Sequence, residues 1–259
     1  MARDTWVMST DPISLEREGD VFVLTMTAGE NRWNTTFTRA FAAAIDEVEA
    51  SEGAAALVTA SADEKFFSNG LDLDWRRSSE PDHPGGDRKV FADEFMHLAG
   101  RVITLPVPTV CAVNGHGFGA GLMIALCHDV RVMRRDRGFL CANELELGIA
   151  IPEPELALFR HKMPLPAFFE TVQLAKRWSG PAAQEAGFVQ QVAERDEVLS
   201  LAVSTAQDLA HLGANRSVFG WMKEHIYGEN AAINGVHGPA YMLQHPNDFA
   251  HGPHRPTKA

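Results

Sequence analysis

Between Pro108 and Glu153 the chain reads PTVCAVNGHGFGAGLMIALCHDVRVMRRDRGFLCANELELGIAIPE, and the four glycines at 115, 117, 119 and 121 constrain its fold more than any other stretch. A β-rich apolar run, Pro108–Val113, enters the cluster, and an apolar segment, Leu122–Cys127, leaves it. That segment is long enough only for a short buried helix. The local expectation is strand, tight turn, helix. Glycines at such a junction let the main chain approach a ligand closely, and the first N–H groups of a helix have no partner inside it. Together they make a place where developing negative charge can be held. Further strands are expected at Val130–Met133 and Phe139–Ala142, followed by a carboxylate, Glu144, in apolar surroundings.

The rest of the chain is long enough, at 259 residues with 45% hydrophobic character, to bury a sizeable core around this stretch. Alternation over Ile13–Arg17 and Val21–Thr27, with Gly19-Asp20 between them, predicts a hairpin. Thr35 or Thr36 is expected to cap a helix running to about Glu49, with Phe37, Phe41, Ile45 and Val48 on one face. Ala55–Ala60 reads as a buried strand, Lys65–Leu73 as a turn, and Asp74–Lys89, with Pro81, Pro84, Gly85 and Gly86, as a mobile surface loop. Phe91–Ile103 is expected to be an amphipathic helix. Beyond Glu153 the pattern is almost wholly helical, with helices expected near Glu155–Lys162, Leu165–Arg177, Ala182–Ala186, Glu197–Leu212, Arg216–Tyr227 and Ala231–His245. Strands and helices in this order fit one α/β fold with a continuous sheet system.

Charge and cysteine usage narrow the partners. The net charge of −11, from 23 basic and 34 acidic residues, disfavours nonspecific binding to nucleic acid or to anionic membranes. Cys111, Cys127 and Cys141 are odd in number and lie in apolar runs, which points to free thiols in a reducing compartment. No apolar stretch reaches the ~20 residues needed to span a bilayer, and the N-terminus lacks the apolar region of a secretory signal, so a cytoplasmic protein is expected.

Several motifs in order carry a family resemblance: Phe67-Ser68-Asn69-Gly70-Leu71-Asp72, then Ala112-Val113-Asn114-Gly115 with Gly119-Ala120-Gly121, then Asp129, Asn143-Glu144 and Leu147-Gly148, and finally Pro181–Val189. The sequence resembles the enoyl-CoA hydratase/isomerase (crotonase) family over most of its length. Around Met133–Leu140 and Glu144 it is most similar to Δ3,Δ2-enoyl-CoA isomerases. The resemblance implies a crotonase-like (ClpP/crotonase) spiral of ββα units over residues 1–195, with a C-terminal helical trimerisation or cap region over 196–259. It also implies an acyl-CoA substrate, no cofactor beyond the coenzyme A of that substrate, no metal, and a homotrimer or hexamer.

The same resemblance assigns an oxyanion hole to the main-chain N–H groups of Leu71 and Ala120, and substrate contacts to Ser68, Asn69, Gly70, Asp72 and Gly119. Glu144 falls at a family position for a catalytic glutamate. Burial would raise its pKa into the range useful for proton transfer. It is expected to take a proton from C2 of a 3-enoyl-CoA and return it at C4. Glu146, Glu153 and Glu155 compete for that role, Glu153 foremost. Hydratases of the family carry a second glutamate where this chain has Met123, and water addition needs two carboxylates, so hydration is disfavoured.

The same residues admit other readings. Gly115-x-Gly117-x-x-Ala120 mimics a dinucleotide fingerprint, although no repeated βαβ pattern opens the chain. His237, His245, His251 and His254 lack a repeated ligand spacing and read as a solvated tail rather than a metal site. Arg32 could meet the phosphates of coenzyme A or be an ordinary surface arginine. The alternative of another class is a non-catalytic family member that binds acyl-CoA or only builds an oligomer.

Overall fold

The computed structural model describes residues 5–10, 12–229 and 237–249, and of residues 5–10 the backbone alone. Strands β1 (Thr5–Thr10), β2 (Ile13–Glu18) and β3 (Val21–Met26) run antiparallel, and Glu18 pairs with Val21 across the expected Gly19-Asp20 turn. Helix α1 (Thr35–Ala50) follows and buries Phe37, Phe41, Ile45 and Val48, the four residues that the 3.6-residue period places on one face. Its cap lies one residue earlier than expected. The Asn34 side chain accepts from the Phe37 N–H at 2.9 Å, which leaves the hydroxyls of Thr35 and Thr36 to donate to the Asp87 and Pro84 carbonyls at 2.6 and 2.7 Å.

The chain then repeats one manoeuvre three times. Strand β4 (Ala56–Ser61) is followed by a short strand, β5 (Phe66–Ser68), and by helices α2 (Leu73–Arg77) and α3 (Phe91–Thr104). Strand β6 (Thr109–Val113) is followed by β7 (His116–Phe118) and helix α4 (Ala120–Cys127). Strand β8 (Val130–Arg134) is followed by β9 (Leu140–Cys141) and helix α5 (Glu153–Lys162). The longer strand of each turn joins a seven-stranded sheet, ordered β1-β2-β3-β4-β6-β8 and closed by β10 (Gln191–Ala193). The shorter ones form a separate parallel sheet, β5-β7-β9. This is the expected α/β spiral of ββα units.

Parallel strands buried on both faces read as continuous apolar runs, which is why β4 and β6 are almost wholly buried. Alternate residues still serve different cores. Leu57, Cys111 and Val113 face the larger cluster with α1, α3 and α4, whereas Val58, Val110 and Ala112 face a second one. The second cluster is closed by Val198, Ala202 and Ala206 of helix α8 (Val198–Leu209), which follows α6 (Leu165–Leu174) and α7 (Gly180–Glu185). Helices α9 (Arg216–Tyr227) and α10 (Pro239–Gln244) complete the described fold. The expected helix from Ala231 is seen only from Pro239, and residues 231–236 lie outside the described ones.

Two expectations need correction. Lys65–Leu73 is not merely a turn, since it contributes β5. The Asp74–Lys89 segment is anchored rather than a mobile loop. Asp72 caps α2 by accepting from the Trp75 N–H at 3.1 Å, and the Trp75 indole, fully buried, donates to the Gly86 carbonyl at 2.9 Å. Added to the threonine bonds at Pro84 and Asp87, these contacts fix the segment against α1.

Candidate active site

The small sheet and the start of α4 form one wall of a cavity of about 320 Å³. Gly70, Leu71, Gly119 and Ala120 lie along that wall, Phe91, Phe95 and Met96 of α3 and Met123 of α4 provide apolar surface, and Asn143, Glu144 and Glu155 face them. Gly70 has φ +77°, and a Cβ there would stand 2.7 Å from the Phe118 carbonyl oxygen and 3.8 Å from the Ala120 nitrogen. A side chain is therefore excluded, and the two glycine turns lie against each other.

Both turns present main-chain donors. Trp33 donates its N–H to the Gly70 carbonyl at 2.8 Å and accepts from the Asp72 N–H at 2.9 Å. In an extended segment successive peptide groups point to opposite sides, so this bridge directs the Leu71 N–H away from Trp33. Ala120 is the first residue of α4, where an N–H has no intrahelical acceptor and carries the positive end of the helix dipole.

Glu144 stands beside these donors. Its Oε1 lies 2.8 Å from the position a Cβ on Gly119 would take, and its Oε2 is buried without a hydrogen-bond partner. Burial raises its pKa above the ordinary glutamate value. Glu155 is buried more deeply, only 6% exposed, and burial together with the Glu144 charge pushes its pKa up to about 8. Arg32, also at the cavity, is held by Glu30 at 2.7 Å and Asp74 at 3.1 Å and offers no cation to either carboxyl. Two carboxyls without a cation, in one cavity with the Leu71 and Ala120 N–H groups, for which no acceptor appears among the described residues, have the chemistry needed to move protons beside a polarised carbonyl.

The family model for enoyl-CoA hydratase/isomerase matches residues 16–246. The chain belongs to the enoyl-CoA hydratase/isomerase family. Among curated relatives, the peroxisomal enoyl-CoA delta isomerase 2 of Arabidopsis thaliana is 30% identical over 228 residues, which cover 86% of this chain and 95% of that protein. The peroxisomal enoyl-CoA delta isomerase 1 of the same plant is 33% identical over 221 residues, covering 83% and 90%. Among solved structures, a probable enoyl-CoA hydratase of Mycobacterium tuberculosis H37Rv superposes with a TM-score of 0.74 at 26% identity, covering 91% of this chain and 92% of that one. The fold is that of the crotonase enzymes.

Of the residues that the sequence singles out, Asn69, Gly70, Leu71, Gly119, Ala120 and Glu144 line the cavity together. Ser68 and Asp72 do not. The Ser68 hydroxyl, 1% exposed, accepts from the Trp33 indole at 3.0 Å and donates to the Asn31 carbonyl at 2.7 Å, so it braces the turn from behind. Asp72 is occupied as the cap of α2 and by the Asn34 amide at 3.2 Å. Among the competing glutamates, Glu146 is paired with Arg177 at 3.1 Å and Glu153 is exposed at the start of α5. Glu155, which the sequence places behind Glu153, is the one that reaches the cavity. A signal for it exists, because Glu155 falls three and four residues before the buried Leu158 and Phe159 and so lies on the apolar face of α5, whereas Glu153 does not.

The remaining candidates have structural settings of their own. His237 and His245 stack on Tyr241, and His251 and His254 lie outside the described residues. Among the described residues no group of three or more His, Cys, Asp or Glu side chains is placed to hold a metal ion. The three cysteines are free and buried. No helix among the described residues is long and apolar enough to cross a membrane.

Proposed function

We propose that this protein is an enoyl-CoA isomerase that shifts the double bond of a 3-enoyl-CoA to the 2-position. Ionised Glu144 takes a proton from C2, and the electron pair of that bond moves into the thioester, whose oxygen becomes an enolate held by the N–H groups of Leu71 and Ala120. Protonation at C4 then moves the remaining double bond between C2 and C3 and restores the carbonyl. Nothing is oxidised or reduced, so the reaction balances with no cofactor beyond the coenzyme A that the substrate carries. A donor of this kind is worth roughly 3 kcal/mol in comparable sites.

The observation that carries the reading is the Glu144 carboxylate beside the Gly119–Ala120 turn, its Oε2 buried without a hydrogen-bond partner among the described residues. Met123, fully buried and without a titratable group, supports isomerisation over hydration, because the helix that faces the substrate carries no second carboxylate. Incubation with a 3-enoyl-CoA, followed by the absorbance of the conjugated 2-enoyl thioester, is the test. Glu144→Gln is expected to lower kcat by about 10²–10⁴-fold, the usual contribution of a positioned acid or base. Conversion that survives Glu144→Gln but is lost in Glu153→Gln would move the base to Glu153. Glu155 favours one second reading, hydration of a 2-enoyl-CoA by a carboxylate pair, which the same assay shows as loss of conjugated absorbance. A homotrimer or hexamer in the cytoplasm belongs to the proposal as well, and light scattering and imaging of the tagged protein check those two points.

A further inference from the structure

We propose that Glu155 is a second catalytic acid of this cavity, returning a proton to C4 of the acyl chain while Glu144 removes the one at C2. The inference rests on the isomerase reading above. Glu155 sits in the first turn of α5, 6% exposed, and its carboxyl, in the cavity wall, makes no hydrogen bond to the protein among the described residues. A carboxyl buried without a donor or a cation is costly unless it works on something that enters the cavity. The titratable groups that act on it are Glu144 across the cavity and the Cys127 thiol of α4, itself pushed up to about 12 by burial. Neither offsets a negative charge there.

Two carboxyls in one low-dielectric cavity without a counter-ion cannot both ionise readily, so they divide one proton between them. Glu155, the more deeply buried, keeps it, and Glu144, beside the free N–H groups at Leu71 and Ala120, is the one that ionises. In the reaction the C2–H bond breaks toward Glu144 and the electron pair passes to the thioester oxygen. The Glu155 O–H bond then breaks, its proton forms the new C4–H bond, and the enolate electrons return to make the C2–C3 double bond. The cycle leaves Glu144 neutral and Glu155 ionised. Between turnovers Glu144 gives its proton to water and Glu155 takes one from water, which restores the starting state with no other reactant.

A substrate carrying deuterium at C2, converted in ordinary water, reads the route. A single shuttling glutamate carries deuterium from C2 to C4, whereas two carboxyls leave C4 with a solvent-derived hydrogen. Wild type is expected to give product with little deuterium at C4. Glu155→Gln is expected to lower kcat about 100-fold with KM little changed, its residual product enriched in deuterium at C4 because Glu144 then serves both carbons. Glu155→Asp is expected to recover part of the rate, and binding of a saturated acyl-CoA shows that the variants remain folded. Wild-type product carrying the C2 deuterium at C4, or a Glu155→Gln enzyme with wild-type kcat, overturns the assignment. A wild-type enzyme that does not convert 3-enoyl-CoA at all overturns the isomerase reading instead.

Discussion

Gly119→Ala separates the conformational demand of the Gly119–Ala120 turn from its demand for space. Gly119 has φ +49° and ψ −114°, a combination open to glycine that strains an L-residue by roughly 1–3 kcal/mol. The added Cβ would also stand 2.8 Å from Glu144 Oε1, where 3.4 Å is an ordinary contact, so the carboxylate must withdraw by 3.4 − 2.8, about 0.6 Å. Misplacement by about 1 Å costs on the order of 100-fold in rate when the reacting groups must be held in line. Gly119→Ala is therefore expected to lose tens-fold to 100-fold in kcat on a 3-enoyl-CoA. It is also expected to lose about 2–12 °C in Tm, from roughly 1–3 kcal/mol at about 2–4 °C per kcal/mol for a domain of this size.

Gly53→Ala is the control. Gly53 has φ +77° with nothing within 4 Å of the position its Cβ would take, so its substitution should cost stability through the backbone alone and leave kcat unchanged. Equal effects of the two substitutions on kcat, or a Gly119→Ala enzyme as active as wild type, would refute the argument that this glycine keeps space for the Glu144 carboxylate.

Two further perturbations test the electrostatics. Burial raises the Glu155 pKa from the ordinary 4.5 to about 8, so between those values the unfolded chain releases a proton that the folded chain keeps. Stability should therefore fall as pH rises from about 5 to 8, and Glu155→Gln should flatten that fall and raise Tm at pH 8; a parallel pH dependence of Tm in both proteins speaks against it. Away from the cavity, Lys223, 5% exposed, donates to Asp129 at 2.8 Å and to the Val107 carbonyl at 3.2 Å. Lys223→Met removes one cation from the half-buried Asp129 carboxylate, which keeps the Thr109 donors and the Lys162 charge, and is expected to cost about 1–3 kcal/mol in chemical denaturation; no measurable loss would show that the pair contributes nothing to stability.

The sequence made the large sheet and the glycine turns legible for definite reasons. Strands β4 and β6 are buried on both faces and therefore read as unbroken apolar runs, and α1 and α3 are long enough for a 3.6-residue period to emerge. The small sheet was harder to see. Its strands β5, β7 and β9 have three, three and two residues, too few for alternation to register, and β7 lies inside the glycine cluster itself. The segment after Asp72 reads as a free loop because it is polar and rich in Pro and Gly. What holds it is a single buried Trp75 and two threonine hydroxyls from α1, contacts that no local pattern encodes.

Glu155 shows where local consistency gives way. The face of α5 that carries Leu158 and Phe159 should be apolar from end to end if packing alone shaped it, and a leucine at 155 would continue that face and remove a buried charge site. Instead a carboxyl occupies the position, opposite another that is also without a cation, in a chain that carries methionine at 123. Each departure alone weakens the folded state or removes a reactive group. Taken together they leave the cavity with two carboxyls, on Glu144 and on α5, and none on α4, which is the arrangement that the proposed delivery of a proton at C4 requires.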